Sequence, residues 1–192
     1  MTIELFGLPA VGKTTCADML CEKSEYKRPE LETKLAVIWY ALLFWFRYPV
    51  FCVKLLFFTI KHSKHSLYTK CVHGLGVRLA RYMVPVSGMR VVDEGLIQNI
   101  MNLSDEQVSE KEIKMLFAAM PKIVDKYIHI VVPNNVQEMY AKKRGRVFAR
   151  TRSKEEDSLL LEISSVHEEV LSKLLAENNF DVQTGSCETI KI

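Results

Sequence analysis

Short apolar runs and longer stretches of helical periodicity alternate along most of this chain. Ile3 to Phe6 is a brief apolar run closed by Gly7, the pattern of a buried strand. Lys13 to Ser24 then reads as a helix. Arg90-Val91-Val92 is a second, β-branched run, ended by Asp93-Glu94-Gly95 and followed by helical stretches near Leu96 to Asn102 and Ser109 to Met120. Tyr127 to Val132 is a third, closed by Pro133, with a helix from Asn135 to Lys143 after it. Leu159, Ile163, Val166, Val170 and Leu174 recur at steps of three and four, which predicts a long helix packed on a sheet and ending near Asn178. Phe180 to Gln183 reads as a last strand. Strands alternating with helices predict an α/β fold with a parallel sheet flanked by helices.

The stretch from Leu35 to Ile60 breaks this rhythm, because 22 of its 26 residues are hydrophobic. Its longest uncharged run, Leu35 to Phe46, is twelve residues, below the roughly 18 needed to span a bilayer. Topology adds a stronger objection to a single crossing. The strand before this segment and the strand ending at Asp93 must meet in one sheet, so they cannot lie on opposite sides of a membrane. A helical hairpin broken near Tyr48-Pro49 is the expectation. It lies within an insertion spanning residues 33 to 88, where a helix from Cys71 to Met83 also carries Arg78 and Arg81 on one side. Two readings of the hairpin stand: packed as core and as cover over a substrate, or laid into a membrane interface through residues 35 to 70, with Lys61 to Ser66 read equally as a basic strip near headgroups or as an exposed loop.

Composition fits one domain over residues 1 to 192, with 48% hydrophobic and 26% charged residues. The net charge of +3 hides an asymmetry: from Thr33 to Val92 there is no Asp or Glu, and nine bases give that segment +9. Those bases are interleaved with apolar residues that duplex recognition would not need, so a nucleic-acid partner is not expected. The five cysteines show neither C-x-x-C spacing nor zinc-ligand partners, which points to a reducing, cytoplasmic setting with possible membrane association through the apolar segment. The N-terminus carries an acid at Glu4 rather than a basic leader.

Candidate chemistry begins directly after the first strand. Gly7-Leu8-Pro9-Ala10-Val11-Gly12-Lys13-Thr14 fits G-x-x-x-x-G-K-[ST], between a strand and a helix. In such a loop, glycines let backbone N–H groups turn around phosphate oxygens, and the helix N-terminus adds partial positive charge. Lys13 would reach the β- and γ-phosphates, and Thr14 would ligate Mg²⁺. Asp93 and Glu94 end a strand expected beside this loop, where ligands gather in open parallel sheets. Asp93 could bind the metal, and Glu94 could orient or deprotonate an acceptor hydroxyl; solvated acids in a turn are the plainer reading. Arg78 and Arg81 could hold an acceptor phosphate or pair with surface acids. Residues 142 to 154 hold seven bases in thirteen positions, which reads either as a solvated loop or as a basic lid over transferring phosphate. His129 reads as a half-buried sheet residue and His167 as a surface or boundary residue.

Taken together, the loop at Gly7 to Thr14, the strand ending in Asp93-Glu94-Gly95, and Tyr127 to Pro133 followed by Val136 to Arg146 resemble the small P-loop kinases of the nucleoside and nucleotide kinase superfamily, thymidylate kinase-like proteins especially. The resemblance covers about two thirds of the chain. It implies a three-layer P-loop NTPase fold, here with an apolar helical insertion, that uses ATP with Mg²⁺. It also implies phosphate-binding roles for Gly7, Pro9, Ala10, Val11, Gly12, Lys13, Thr14 and Thr15, and metal ligation by Thr14 and Asp93. Arg144, Arg146, Arg150 or Arg152 would act from a lid. Two departures stand out: Glu94 follows the acid where thymidylate kinase-like enzymes usually have Arg, and no second-strand motif ends in a catalytic acid, Glu30 and Glu32 being the only candidates.

The expected function is transfer of the γ-phosphoryl group of ATP to a small-molecule acceptor, a nucleoside or nucleotide first. A sugar or lipid-linked alcohol at a membrane surface is the alternative acceptor. A different class, an ATP-binding switch or accessory NTPase module, would hydrolyse nucleotide without an acceptor. A regulatory GTPase is disfavoured, since Asn134-Asn135-Val136 does not match N-K-x-D.

Overall fold

The computed structural model describes residues 1–23, 25–63, 67–144, 154–187 and 189. Strand β1 (Thr2–Phe6) leads through the glycine loop into α1 (Lys13–Cys21), followed by a two-residue strand, β2 (Tyr26–Lys27). The insertion then folds as α2 (Lys34–Arg47), α3 (Pro49–His62) and a short α4 (Leu67–Lys70) that runs into π-helical turns over Cys71–Arg78. After it come β3 (Met89–Val92), α5 (Leu96–Asn102), α6 (Glu110–Ala119), β4 (Lys126–Ile130), α7 (Asn134–Arg144), α8 (Lys154–Glu177) and β5 (Val182–Gly185).

The five strands form one parallel sheet in the order β2-β3-β1-β4-β5. Ile3 pairs with Val91 on one side and Lys126 on the other. This order is what brings the candidate chemistry together, because β1 and β3 are neighbours and their carboxyl ends carry the Gly7 loop and Asp93-Glu94.

Alternation along the strands divides the core into two. Ile3, Leu5, Val91, Ile128 and Ile130 pack with Cys16, Ala17 and Leu20 of α1, while Phe6, Val92 and Tyr127 face the larger core formed with α3, α5, α6 and α8. A period of two is what strand geometry demands when both faces are covered.

The hairpin breaks where Tyr48-Pro49 predicts, with a bend of 111° between α2 and α3. Pro49 sits in the first turn of α3, where its missing N–H costs no intrahelical bond. α3 buries Phe51, Cys52, Leu55 and Phe58, but α2 buries only Phe44 fully. Each helix thus contributes to the core from one side, Phe44 on α2 and Phe51, Cys52, Leu55 and Phe58 on α3, while its other side is exposed.

The structure describes only the first half of the segment from Lys61 to Ser66. Lys61 pairs with Glu112, His62 is buried with its ring nitrogens on Glu106 (2.8 Å) and Glu112 (3.2 Å), and Lys70 is buried on Asp105 (2.7 Å). Residues 64 to 66 lie outside the described residues. His167 is buried rather than superficial: its Nε2 accepts from the Val108 N–H at 3.3 Å, and burial lowers its pKa. His129 is half-buried as expected, stacked on Phe6 at 4.6 Å and 2.9 Å from Glu168.

Candidate functional site

The glycine loop turns sharply because three of its residues adopt positive φ: Gly7 at 147°, Ala10 at 63° and Gly12 at 90°. A Cβ on Gly7 would stand 2.5 Å from the Ile130 carbonyl oxygen, so β4 approaches the loop as closely as it does only past a glycine. Gly12 is also the cap of α1 and offers no side-chain acceptor to the first N–H groups of the helix. Lys13 is buried, and its Nζ donates to the Gly7 and Leu8 carbonyls at 2.8 and 2.7 Å. Gln137 of α7 donates to the Pro9 carbonyl at 2.9 Å and ties that helix to the loop.

Across from the loop, the end of β3 carries an ionic cluster. The Thr14 hydroxyl lies 3.4 Å from Asp93 Oδ2. Arg81 donates to Asp93 Oδ1 at 2.9 Å, and Arg28 Nη2 is 3.6 Å from Oδ2 while also donating to the Thr14 carbonyl at 3.1 Å. Arg78 donates through Nε and Nη2 to Glu94 Oε2 at 3.1 and 2.9 Å, and through Nη1 to Asn99 at 3.1 Å. Arg78 and Arg81 thus pair with the two candidate acids themselves, not with distant surface carboxylates. Burial would push the Glu94 carboxyl up, but Arg78, with Lys13 and Arg81 behind it, outweighs that and holds the group below the usual carboxylate range.

Beneath the cluster lies a network to which the sequence drew no attention. Glu4 of β1 is fully buried; it accepts from the Tyr82 hydroxyl at 2.6 Å and from the Ile97 N–H at 2.7 Å, and Tyr82 in turn accepts from the Leu96 N–H at 3.0 Å. Burial raises the Glu4 pKa to about 7 against the lowering effect of these donors. It also raises that of Tyr82 well above the ordinary value. A Cβ on Gly95 would sit 2.0 Å from the Tyr82 oxygen and 2.4 Å from Glu4 Cδ. The turn that follows Asp93-Glu94 is therefore fastened from below by β1. An acid in the middle of an apolar strand was the available signal for Glu4. Arg28 had only its place directly after β2.

Two clefts flank the site. One, of about 820 Å³, runs along the loop and α1 past Gly12 and Thr15 to Val136 and Tyr140 of α7. The other, of about 660 Å³, is lined by Arg28, Glu30, Glu32, Tyr40 of α2 and the Val84 to Ser87 turn. Glu30 and Glu32 are thus exposed groups at the rim of that cleft, beyond the end of β2. Arg144 ends α7; its side chain, Arg146, Arg150 and Arg152 lie outside the described residues, as does most of the segment from 142 to 154. Among the described residues, no group of three or more His, Cys, Asp and Glu side chains is placed to hold a metal ion.

No family model matches the sequence, and no curated protein matches it with significance. The solved structures aligned with it include three of deoxyadenosine kinase from M. mycoides, with the products dCMP and a flexible dCDP, with dCTP and with dATP bound. They are 16%, 14% and 14% identical, cover 99% of this chain and 92%, 92% and 93% of their own, and superpose with TM-scores of 0.49, 0.47 and 0.43. A likeness so distant carries no argument about chemistry, which must come from the residues themselves.

Proposed function

We propose that this protein is an ATP-dependent phosphotransferase of the P-loop kinase type, acting on a small-molecule acceptor, a nucleoside or nucleotide first. The observation that carries the reading is the meeting of Lys13 and Thr14 with Asp93 and Glu94 across neighbouring strands. The loop amides and the α1 N-terminus would receive the phosphates, and Lys13 would move from the Gly7 and Leu8 carbonyls onto their oxygens. Pro9, Ala10 and Val11 would contribute backbone to the cradle. Thr15, lining the 820 Å³ cleft, would face the rest of the nucleotide.

Thr14 and Asp93 supply a hydroxyl and a carboxylate, hard oxygen donors of the kind Mg²⁺ takes in ones and twos with waters and phosphate oxygens completing the shell. Bound there, Mg²⁺ would neutralise charge on the phosphates. Glu94, held ionised by Arg78, is better suited to accept a hydrogen bond from the acceptor hydroxyl and aim it than to remove its proton, since a depressed pKa makes a weak base. That suffices for a loose transition state that needs mainly positioning. Arg78 and Arg81 would turn from the acids toward an anionic group of the acceptor, and Arg144, Arg146 and Arg150 would close over the transferring phosphoryl group.

The test is a transfer assay with labelled ATP across nucleosides, nucleotides, sugars and polyprenols, run on the wild type, Lys13→Ala and Glu94→Gln. Label should move to one acceptor class, with both variants losing at least a hundredfold. Full turnover by Lys13→Ala would remove the loop from the reaction. Phosphate release that needs no acceptor and ignores Glu94→Gln would favour an NTPase switch.

A further inference from the structure

The outward faces of α2 and α3 are apolar to a degree that the proposed phosphotransfer does not require. On α2, Leu35, Ile38, Trp39, Leu42 and Phe46 are 47–83% exposed and fall within one side of the helix, Ile38 and Trp39 side by side between Leu35 and Leu42. On α3, Val50, Val53, Phe57 and Ile60 are 45–67% exposed at steps of three, four and three. The stripes meet at the Tyr48 elbow, where Phe46 and Val50 flank the bend. Contiguous exposed apolar surface on this scale marks an interaction site.

Charge identifies the occupant. Lys34 at the start of α2, Arg47 at its end and Lys54 within the outer stripe of α3 are all exposed, and no acid occurs between Thr33 and Val92 to offset them. A second copy of the chain, docked about a two-fold axis on this face, would bring Arg47 and Lys54 toward their own counterparts with no carboxylate from either helix. A surface that is apolar inside and anionic outside suits both features. Each helix has fourteen residues, about 21 Å at 1.5 Å per residue, and no single helix is long and apolar enough to cross a membrane. Helices of this length with aromatic and basic residues on the outer side lie in the interface.

We infer that the outer faces of α2 and α3 dock this protein onto an anionic lipid bilayer, burying Trp39, Phe46 and Phe57 at headgroup depth with Arg47 and Lys54 on the phosphates. The surface is distinct from the proposed phosphotransfer site: its α2 stripe lies on the side of that helix away from Phe44, and its α3 stripe away from buried Phe51, Leu55 and Phe58.

The experiment is flotation of the full chain with vesicles of phosphatidylcholine, with and without phosphatidylserine, at low and high salt. The protein should float with the anionic vesicles and lose this in high salt. Arg47→Gln with Lys54→Gln should weaken partitioning about 25-fold, the product of about fivefold for each base near a charged surface. Phe46→Glu should abolish it. All three positions are exposed, and unchanged circular dichroism and ATP binding would show that the variants fold. Brominated phosphatidylcholine in the anionic vesicles should quench the wild-type fluorescence, and Trp39→Phe, which leaves half-buried Trp45, should remove that quenching. Absence of flotation with anionic vesicles would overturn the inference. So would a stable dimer, indifferent to lipid, that Phe46→Glu converts to monomer, because the face would then belong to a second copy.

Discussion

Glu4→Gln tests whether the carboxylate beneath the site is held at the cost the structure implies. Burial raises the Glu4 pKa from its ordinary 4.5 to about 7, so the folded chain binds this proton more tightly than the unfolded one. Stability from this position is therefore greatest below pH 4.5, falls as pH rises, and is fully lost above about 7. At about 1.4 kcal/mol per pH unit the whole loss is about 3 kcal/mol, of which about 2.5 kcal/mol falls between pH 5 and pH 8. Glutamine has no such proton. Its amide, like the neutral carboxyl, offers one acceptor oxygen and one donor group to Tyr82 and Ile97, so whatever else separates the two side chains is an offset that does not change with pH. The informative quantity is thus the change in the difference between the two proteins. Urea unfolding followed by tryptophan fluorescence at pH 5 and pH 8 should show the variant gaining about 2.5 kcal/mol on the wild type over that interval. A difference that stays constant to within about 0.5 kcal/mol would refute the claim that desolvation outweighs the donors around Glu4.

Two further outcomes follow from burial and close contact. Gly95→Ala drives a Cβ to 2.0 Å from the Tyr82 oxygen and 2.4 Å from Glu4 Cδ, so it should cost about 3 kcal/mol or more; thermal unfolding checks this, and a melting temperature within a degree or two of wild type would show that the turn relaxes freely. Burial pushes the thiols of Cys52 and Cys16 up to about 12, that of Cys16 with help from a hydrogen bond to Cys187. Alkylation at pH 8 followed by mass spectrometry should therefore label Cys21, Cys71 and Cys187 in the native protein and reach Cys16 and Cys52 only after unfolding.

The strands that build the site were legible because each is a short apolar run with a breaker at its end, as at Gly7, Gly95 and Pro133. β2 was not, because it is two residues at a sheet edge, Tyr26 and Lys27 paired with Met89 and Arg90, and two residues carry no period. That loss hid Arg28, which reaches Asp93 only because β2 lies next to β3. His167 lies on the buried side of α8, four residues after Ile163 and seven before Leu174, but an imidazole in an apolar stripe names no partner, and only the fold reveals that Val108 and Met101 meet it there. The hairpin shows a different limit. Apolar density along Leu35 to Ile60 is the same whether a face meets the core or something outside it, so the sequence could locate both helices without dividing Phe44 from Phe46.

The acid-free segment acquires two separate meanings once its bases are placed. Arg78 and Arg81 pair with Glu94 and Asp93, Lys61 with Glu112, Lys70 with Asp105, and Arg90 donates to the Val84 carbonyl. The acids these bases meet all lie after residue 92, so the segment lacks acids of its own partly because its partners are supplied by the strands and helices that follow. Ion pairs at Asp93 and Glu94 then do more than hold the insertion against the sheet. Under the proposed phosphotransfer they would set the charge an acceptor must contend with: a neutral hydroxyl could approach Glu94 without disturbing Arg78, whereas a phosphate would draw Arg78 and Arg81 away and leave the acids to bind metal or hydroxyl. Lys34, Arg47 and Lys54 have no such role. They stand on the exposed side of the hairpin, so the same run of sequence places one set of bases on the acids at the end of β3 and another where only something outside the protein can meet it.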